Sequence, residues 1–396
     1  MNSAPTHPNP GPAGEIRALS GLRIIAAVWV VLFHFRPLLA QASPPLSKAW
    51  APLLDCGAQG VDLFFILSGF VLALNYLDRM GPSWSGRATL HFLWLRLARV
   101  WPVYLVTMHL AALWVIFTLN VGNVPSPEAA NLTAPNYLRQ LFLMQLWVRP
   151  FFDDTSWDGP AWSISAEWLA YLLFGVLVLA LFRVARVSRA RTLLGLAFVA
   201  TLPPVLFLAA SGAFYTPWSW LPRIVLQFAA GALACAGVRR LRLTDEQRRV
   251  AGWLSVALVA AIVGGLYWLD AHPIHSIRDD FGLVDVFFLP LIVALAVGRG
   301  SLPAVLSTRA LVYGGKISFC LYMVHELVHQ GWIWATAQYR IDMAPSWSTK
   351  FVVLALLAGA VAGSMVLFHY VEEPARRWMR AMVIRPVRAQ EAPCAV

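Results

Sequence analysis

The sequence predicts an all-α, polytopic membrane protein of about ten transmembrane helices with both termini cytoplasmic, and three observations carry that prediction. Of its 396 residues 59% are hydrophobic and only 13% charged, about half the charged share of a soluble domain. A mean hydropathy of +0.63, with 22 Phe, 18 Trp and 10 Tyr, excludes disorder as well. The third observation is the placement of charge. With the N-terminus inside, only Arg36, Lys48, Arg139, Arg149, Arg223, Arg278, Arg340 and Lys350 of the 31 Lys and Arg fall on the outer side. The rest crowd inner segments such as RVARVSRAR (183–191) and RRLRLTDEQRR (239–249), as the positive-inside rule requires. Because the net charge of +11 is spread over short clusters and forms no single patch, the implied partner is the lipid bilayer and not nucleic acid.

The elements follow in order. Residues 1–15 are a Pro- and Gly-rich tail, 16–379 the transmembrane domain and 380–396 a basic cytoplasmic tail. Apolar runs long enough to span lie at 18–40, 58–77, 99–119, 162–182, 192–211, 219–238, 250–269, 282–297, 315–336 and 349–370. The run at 282–297 is the weakest because it is short and holds Asp285, and Pro203 with Pro204 should kink the run at 192–211. The first span contains Arg23 and His34. Their spacing amounts to three turns plus about 20°, so both lie on one face, roughly 16 Å apart along the axis. The alternative is a snorkelling arginine and an interfacial histidine. The second span opens with GVDLFFILSGF (60–70), which places Asp62 near the outer end and Ser68 two turns deeper. Asp62 there can also be a simple helix cap.

Arg96 and Arg99 share a face at the inner mouth of the third span, suited to phosphates and equally to charge anchoring. In the long outer loop, 120–161, the stretch NYLRQLFLMQLW (136–147) is too short to cross, and an interfacial or re-entrant helix is expected there. The fourth span opens with WSISAEW, where Ser163 and Glu167 are i, i+4 neighbours on one face and Glu167 lies at about the depth of His34 and Asp62. A carboxylate beside an imidazole fixes its tautomer, as a general base requires. His325 falls well inside the ninth span, and Glu372 and Glu373 close the tenth, where Arg376 and Arg377 can pair with them. The four cysteines have no paired spacing, so neither a zinc site nor a disulfide framework is expected, and no metal is assigned.

Taken in order, Arg23-x10-His34, GVDLFFILSGF, Arg96-x-x-Arg99, WSISAE, ISFCLYMVH (317–325) and VEEP (371–374) make the chain resemble the acyltransferase 3 family of integral membrane O-acyltransferases, from about Glu15 to Met379. The resemblance implies a ten-helix enzyme, in a bacterial inner membrane, with acyl-CoA as co-substrate and no tightly bound cofactor. The acyl group, acetyl or longer, passes to a hydroxyl of a carbohydrate, a glycolipid or a glycosylated natural product such as a macrolide. It also implies that Arg23 and His34 are required for activity and that Arg96 and Arg99 are functional. Ser20 stands where the family usually has Asp, and with the chain ending at Val396 no fused SGNH-type hydrolase domain is expected.

The expected mechanism holds the donor phosphates on Arg96 and Arg99 and runs the pantetheine arm past Arg23 to His34. His34 acts as general base, or as a transient acyl carrier, with Glu167 or Asp62 orienting its ring. Ser163, Ser165 or a backbone N–H stabilises the oxyanion, and Ser68, Trp162, His325 and Glu372 line the site. The rival from another class is a transporter or flippase of a related glycoconjugate, without acyl-transfer chemistry.

Overall fold

The computed structural model describes residues 15–121, 127–275 and 278–383. Among them there is no strand, and ten helices build one bundle: α1 (Arg17–Ala42), α2 (Gly60–Met80), α3 (Gly86–Val121), α4 (Trp162–Val187), α5 (Ala190–Ser211), α6 (Trp220–Val238), α7 (Asp245–Ala271), α8 (Phe288–Val297), α9 (Arg309–Tyr339) and α10 (Trp347–Leu367). All of the tail expected at 1–15 except Glu15, and most of the basic tail at 380–396, fall outside the described residues.

Nine segments among the described residues are long and apolar enough to cross a membrane. The short α8 reaches spanning length because a 3-10 helix, Arg278–Phe287, feeds into it. α5 runs through Pro203 and Pro204 as one helix. The segment left out by composition is α9. At 31 residues it is ample in length at 1.5 Å per residue, but Lys316, His325, Glu326 and His329 interrupt its apolar character.

The packing restores α9 to the count. On α1 and α9 Ser20 lies beside Gly315 and His34 beside His325, so the two helices run parallel. Seven helices separate them in the chain, the odd number that a shared direction demands. α10 returns antiparallel to α9, with Tyr313 bonded to His369 and Gly363 facing Val324. α2 and α6 are likewise parallel, joined by Asp62–Arg223 at one end and Asp78–Arg239 at the other. That parallel pair packs closely, and small residues permit it. A Cβ on Gly69 would overlap the Phe228 carbonyl oxygen, and one on Gly231 the Ile66 carbonyl oxygen, the close contact that small residues allow between membrane helices. The end that carries Arg17, Asp78, Arg239 and Arg376 is the inner end by the charge rule, and both ends of the described chain lie there.

The outer loop carries a shorter helix than expected. Thr133 caps Ala134–Leu141 by accepting from the Asn136 N–H, but Leu143 takes a positive φ of 59°, which ends regular structure well before residue 147. The loop is pinned to the bundle. Tyr104 donates to the Gln140 carbonyl at 2.8 Å, Trp101 to the Leu141 carbonyl at 3.0 Å, and Ser165 to the Leu143 carbonyl at 2.8 Å.

Candidate active site

Arg23 stands at the meeting of two cavities. The first, of about 380 Å³, opens at the inner end and is lined by Ser20 and Arg23 of α1, Arg99 of α3, Lys316 of α9, and Glu373 and Arg376 beyond α10. Four cations on one mouth make a seat for an anion. The second, of about 50 Å³, lies deeper and is lined by Arg23, Ser68, Ser163, Glu167, Ser318 and Tyr322, with Phe64 and Phe65. The Arg23 Nε is buried with no hydrogen-bond partner. Glu167 accepts from Ser68 Oγ and, at 2.5 Å, from the Tyr171 hydroxyl. The Tyr322 hydroxyl donates to the Pro160 carbonyl at 2.9 Å and lies 2.7 Å from Ser163 Oγ.

His34 lies beyond this inner cavity. Phe64 and Tyr322, with ring centroids 6.4 Å apart, stand at its end, and the Tyr322 ring is 5.9 Å from that of His325. The cavity that Arg23 lines does not include His34 among its lining residues, and Phe64 and Tyr322 belong to its wall. On the far side, His34 and His325 face each other edge-on with centroids 4.9 Å apart. His34 Nδ1 is 3.0 Å from the Val30 carbonyl and 3.2 Å from His325 Nε2, and His325 Nδ1 is 3.2 Å from the Leu321 carbonyl. A carbonyl only accepts, so each Nδ1 carries its proton. His325 Nε2 is then the acceptor of the His34 Nδ1–H, and His34 Nε2 is left as a bare basic nitrogen.

Glu326 completes the group. Its carboxylate takes a hydrogen bond from Gln330 Nε2 at 2.6 Å and faces His329 Nδ1 at 3.3 Å. Ligand atoms of His34, His325 and Glu326 lie within 4.8 Å of one another, and His325-Glu326-x-x-His329 has the spacing of a zinc-binding helix. The geometry does not gather that helix motif, because His329 turns its Nδ1 to Glu326 and stands outside the three-residue group. His34 Nδ1, which donates to the Val30 carbonyl, is not free to ligate, and its proton lies between the two rings. Sequence reasoning placed His325 in the site but missed Glu326, although its position next to His325 inside a span was the available signal.

Several expected roles are corrected. Asp62 does not orient His34: it is fully buried, and its two oxygens are held by Arg223 at 2.9 and 2.5 Å and by Gln227 at 2.8 Å. It is the acid of a buried structural pair, where loss of one partner costs about 3–5 kcal/mol. Glu167 does not orient the ring either, being turned to Ser68 and Tyr171 in the inner cavity. Arg96 and Arg99 part company: Arg96 bonds the Tyr76 hydroxyl at 3.0 Å, while Arg99 pairs with Glu372 and lines the inner mouth. Glu372 also accepts from the Cys320 thiol and lies 3.7 Å from Arg376. Ser165 serves the outer loop, and Trp162 stacks on Phe152 at 4.5 Å. Ser68 and Ser163 line the inner cavity.

The helical membrane bundle thus carries a cation-lined entrance at one end and a pair of imidazoles toward the other. The chain belongs to the acyltransferase 3 family, whose acyltransferase domain matches residues 16–369. It is 29% identical over 378 residues, 92% of each chain, to the acyltransferase MdmB of Streptomyces mycarofaciens. It is 22% identical over 384 residues to YrhL of Bacillus subtilis (strain 168), named as an inferred peptidoglycan O-acetyltransferase, and covers 91% of this chain and 55% of that protein in doing so. No solved structure matches. The protein is thus an integral, multi-pass membrane acyltransferase.

Proposed function

We propose that the protein transfers an acyl group from acyl-CoA to a hydroxyl of a carbohydrate or glycosylated natural product, in a bacterial inner membrane. The observation that carries this reading is Arg23, which belongs both to the cationic inner mouth and to the cavity leading toward the histidine pair. The phosphates of the donor rest on Arg99, Lys316 and Arg376, and the pantetheine arm enters past Arg23, moving Phe64 or Tyr322 aside to bring the thioester to His34. His34 Nε2 takes the proton of the acceptor hydroxyl as its oxygen attacks the thioester carbonyl. The tetrahedral intermediate collapses with loss of the CoA thiolate, which recovers the proton from the imidazolium. The names of the relatives support a hydroxyl acceptor, since one of them is an O-acetyltransferase by name.

The test is purified protein in lipid nanodiscs with acetyl-CoA and a panel of alkyl glycosides. Free CoA thiol should appear together with a glycoside heavier by one acetyl group, and His34→Ala should reduce both at least about 100-fold, the usual scale of general-base catalysis. Replacing Lys316 and Arg376 by Ala should raise the KM for acetyl-CoA with little change in kcat. Movement of intact glycoside across a vesicle with no CoA released would identify a transporter instead.

A further inference from the structure

We infer that His325 and Glu326 are the positioning residues that make His34 a base, an inference that rests on the acyl-transfer reading above. Three observations lead to it. The first is the obligatory direction of the hydrogen bonds. His325 is fully buried, and its Nδ1 is committed to the Leu321 carbonyl, so its Nε2 has only a lone pair to offer. That lone pair lies 3.2 Å from His34 Nδ1. The arrangement selects the His34 tautomer whose Nε2 is unprotonated, and it holds the ring by a second point besides the Val30 carbonyl. The second is charge. Glu326 is the carboxylate that lies within 4.8 Å of the two rings, whereas Asp62 is consumed by Arg223 and Gln227 and Glu167 by Ser68 and Tyr171. The third is that Glu326 is itself fixed. Gln330 and His329, one turn further along α9, hold its oxygens, so the carboxylate does not have to be ordered during turnover.

The balance of the step shows why both are needed. As the acceptor O–H bond breaks, its proton forms a new N–H bond at His34 Nε2 and the oxygen pair forms the C–O bond. The ring becomes an imidazolium with two N–H groups. Its Nδ1–H already has acceptors in His325 and Val30, and its positive charge meets the Glu326 carboxylate. Arg36, the nearby cation on α1, is engaged by Asp55 at 3.2 Å and by the Phe33 carbonyl. When the C–S bond breaks, the electron pair leaves on sulfur and the proton returns from Nε2 to the thiolate, restoring the dyad.

The test uses the acceptor from the alkyl glycoside panel that releases most CoA with wild-type enzyme. His325→Leu removes the acceptor of the Nδ1–H and should lower kcat by about 100-fold with both KM values within a factor of about two. His325→Gln offers an amide oxygen to the same N–H and should recover at least about tenfold of that loss. Glu326→Gln keeps shape and the Gln330 contact while removing charge, and should lower kcat by a similar factor. Unchanged kcat in His325→Leu, equal losses in the Leu and Gln variants, or a loss confined to KM overturns the assignment. Should both His325 variants fail to fold, Glu326→Gln with wild-type kcat overturns it alone. One equivalent of zinc in the wild type that disappears in His325→Leu also overturns it, by making His325 a metal ligand. Wild-type enzyme that releases no CoA with any glycoside of the panel sinks the acyl-transfer proposal instead, while rate effects absent only from the variants sink this one.

Discussion

Asp158 sits at the foot of α4, where the outer loop meets the bundle, and only 2% of it is exposed. Burial pushes its carboxyl up to about 8, against the lowering effect of the Thr107 hydroxyl beside it. The neutral acid is therefore the folded form at neutral pH. The unfolded chain ionises in the ordinary carboxylate range, so between that range and about pH 8 the folded state binds the extra proton. Stability must then fall as pH rises through this window and level off above it. Unfolding temperatures measured from pH 4 to pH 9 should decline, and Asp158→Asn, which keeps the shape without the charge, should flatten the decline. An unaltered pH dependence in the variant would show that another group is responsible. The same residue-scale physics explains why depth misled for Asp62 and Glu167. Sequence fixes how deep a side chain lies along its helix, but which neighbour it meets depends on helix rotation and on the partner helix.

Among the elements, α2 and α6 bear the clearest instruction. Gly69 within the SGF of the second span is a contact residue, because any side chain there meets the Phe228 backbone. Gly69→Ala should lower the unfolding temperature in detergent by several degrees. The counterpart control is Gly264→Ala on α7, where a Cβ meets nothing within 4 Å, so the variant should be neutral or gain about 0.5–1 kcal/mol from reduced backbone freedom. Equal effects at the two sites would contradict close packing as the cause. The apolar runs and their charge alternation made most spans legible, since length and hydropathy are summed over many residues. The outer helix was overestimated because a single left-handed residue, Leu143, stops it, and nothing in the apolar pattern marks that. Glu326 was not legible as a partner of His34 because the helix rotation that brings its carboxylate near the two rings is set by packing, not by the order of residues.

For the molecule as a whole, the ten helices place a cationic entrance at one end and a proton-accepting imidazole toward the other, with Phe64 and Tyr322 between. An enzyme that worked through a continuous wet bore would short-circuit the ion gradient of its own membrane. Two rings across the bore act as a seal that yields only to a thiol-bearing arm, so the resting enzyme should be electrically silent. Proteoliposomes holding a pH-sensitive dye should keep an imposed gradient with the wild type and lose it faster with Phe64→Gly. A gradient equally durable in both would mean that the insulation lies elsewhere.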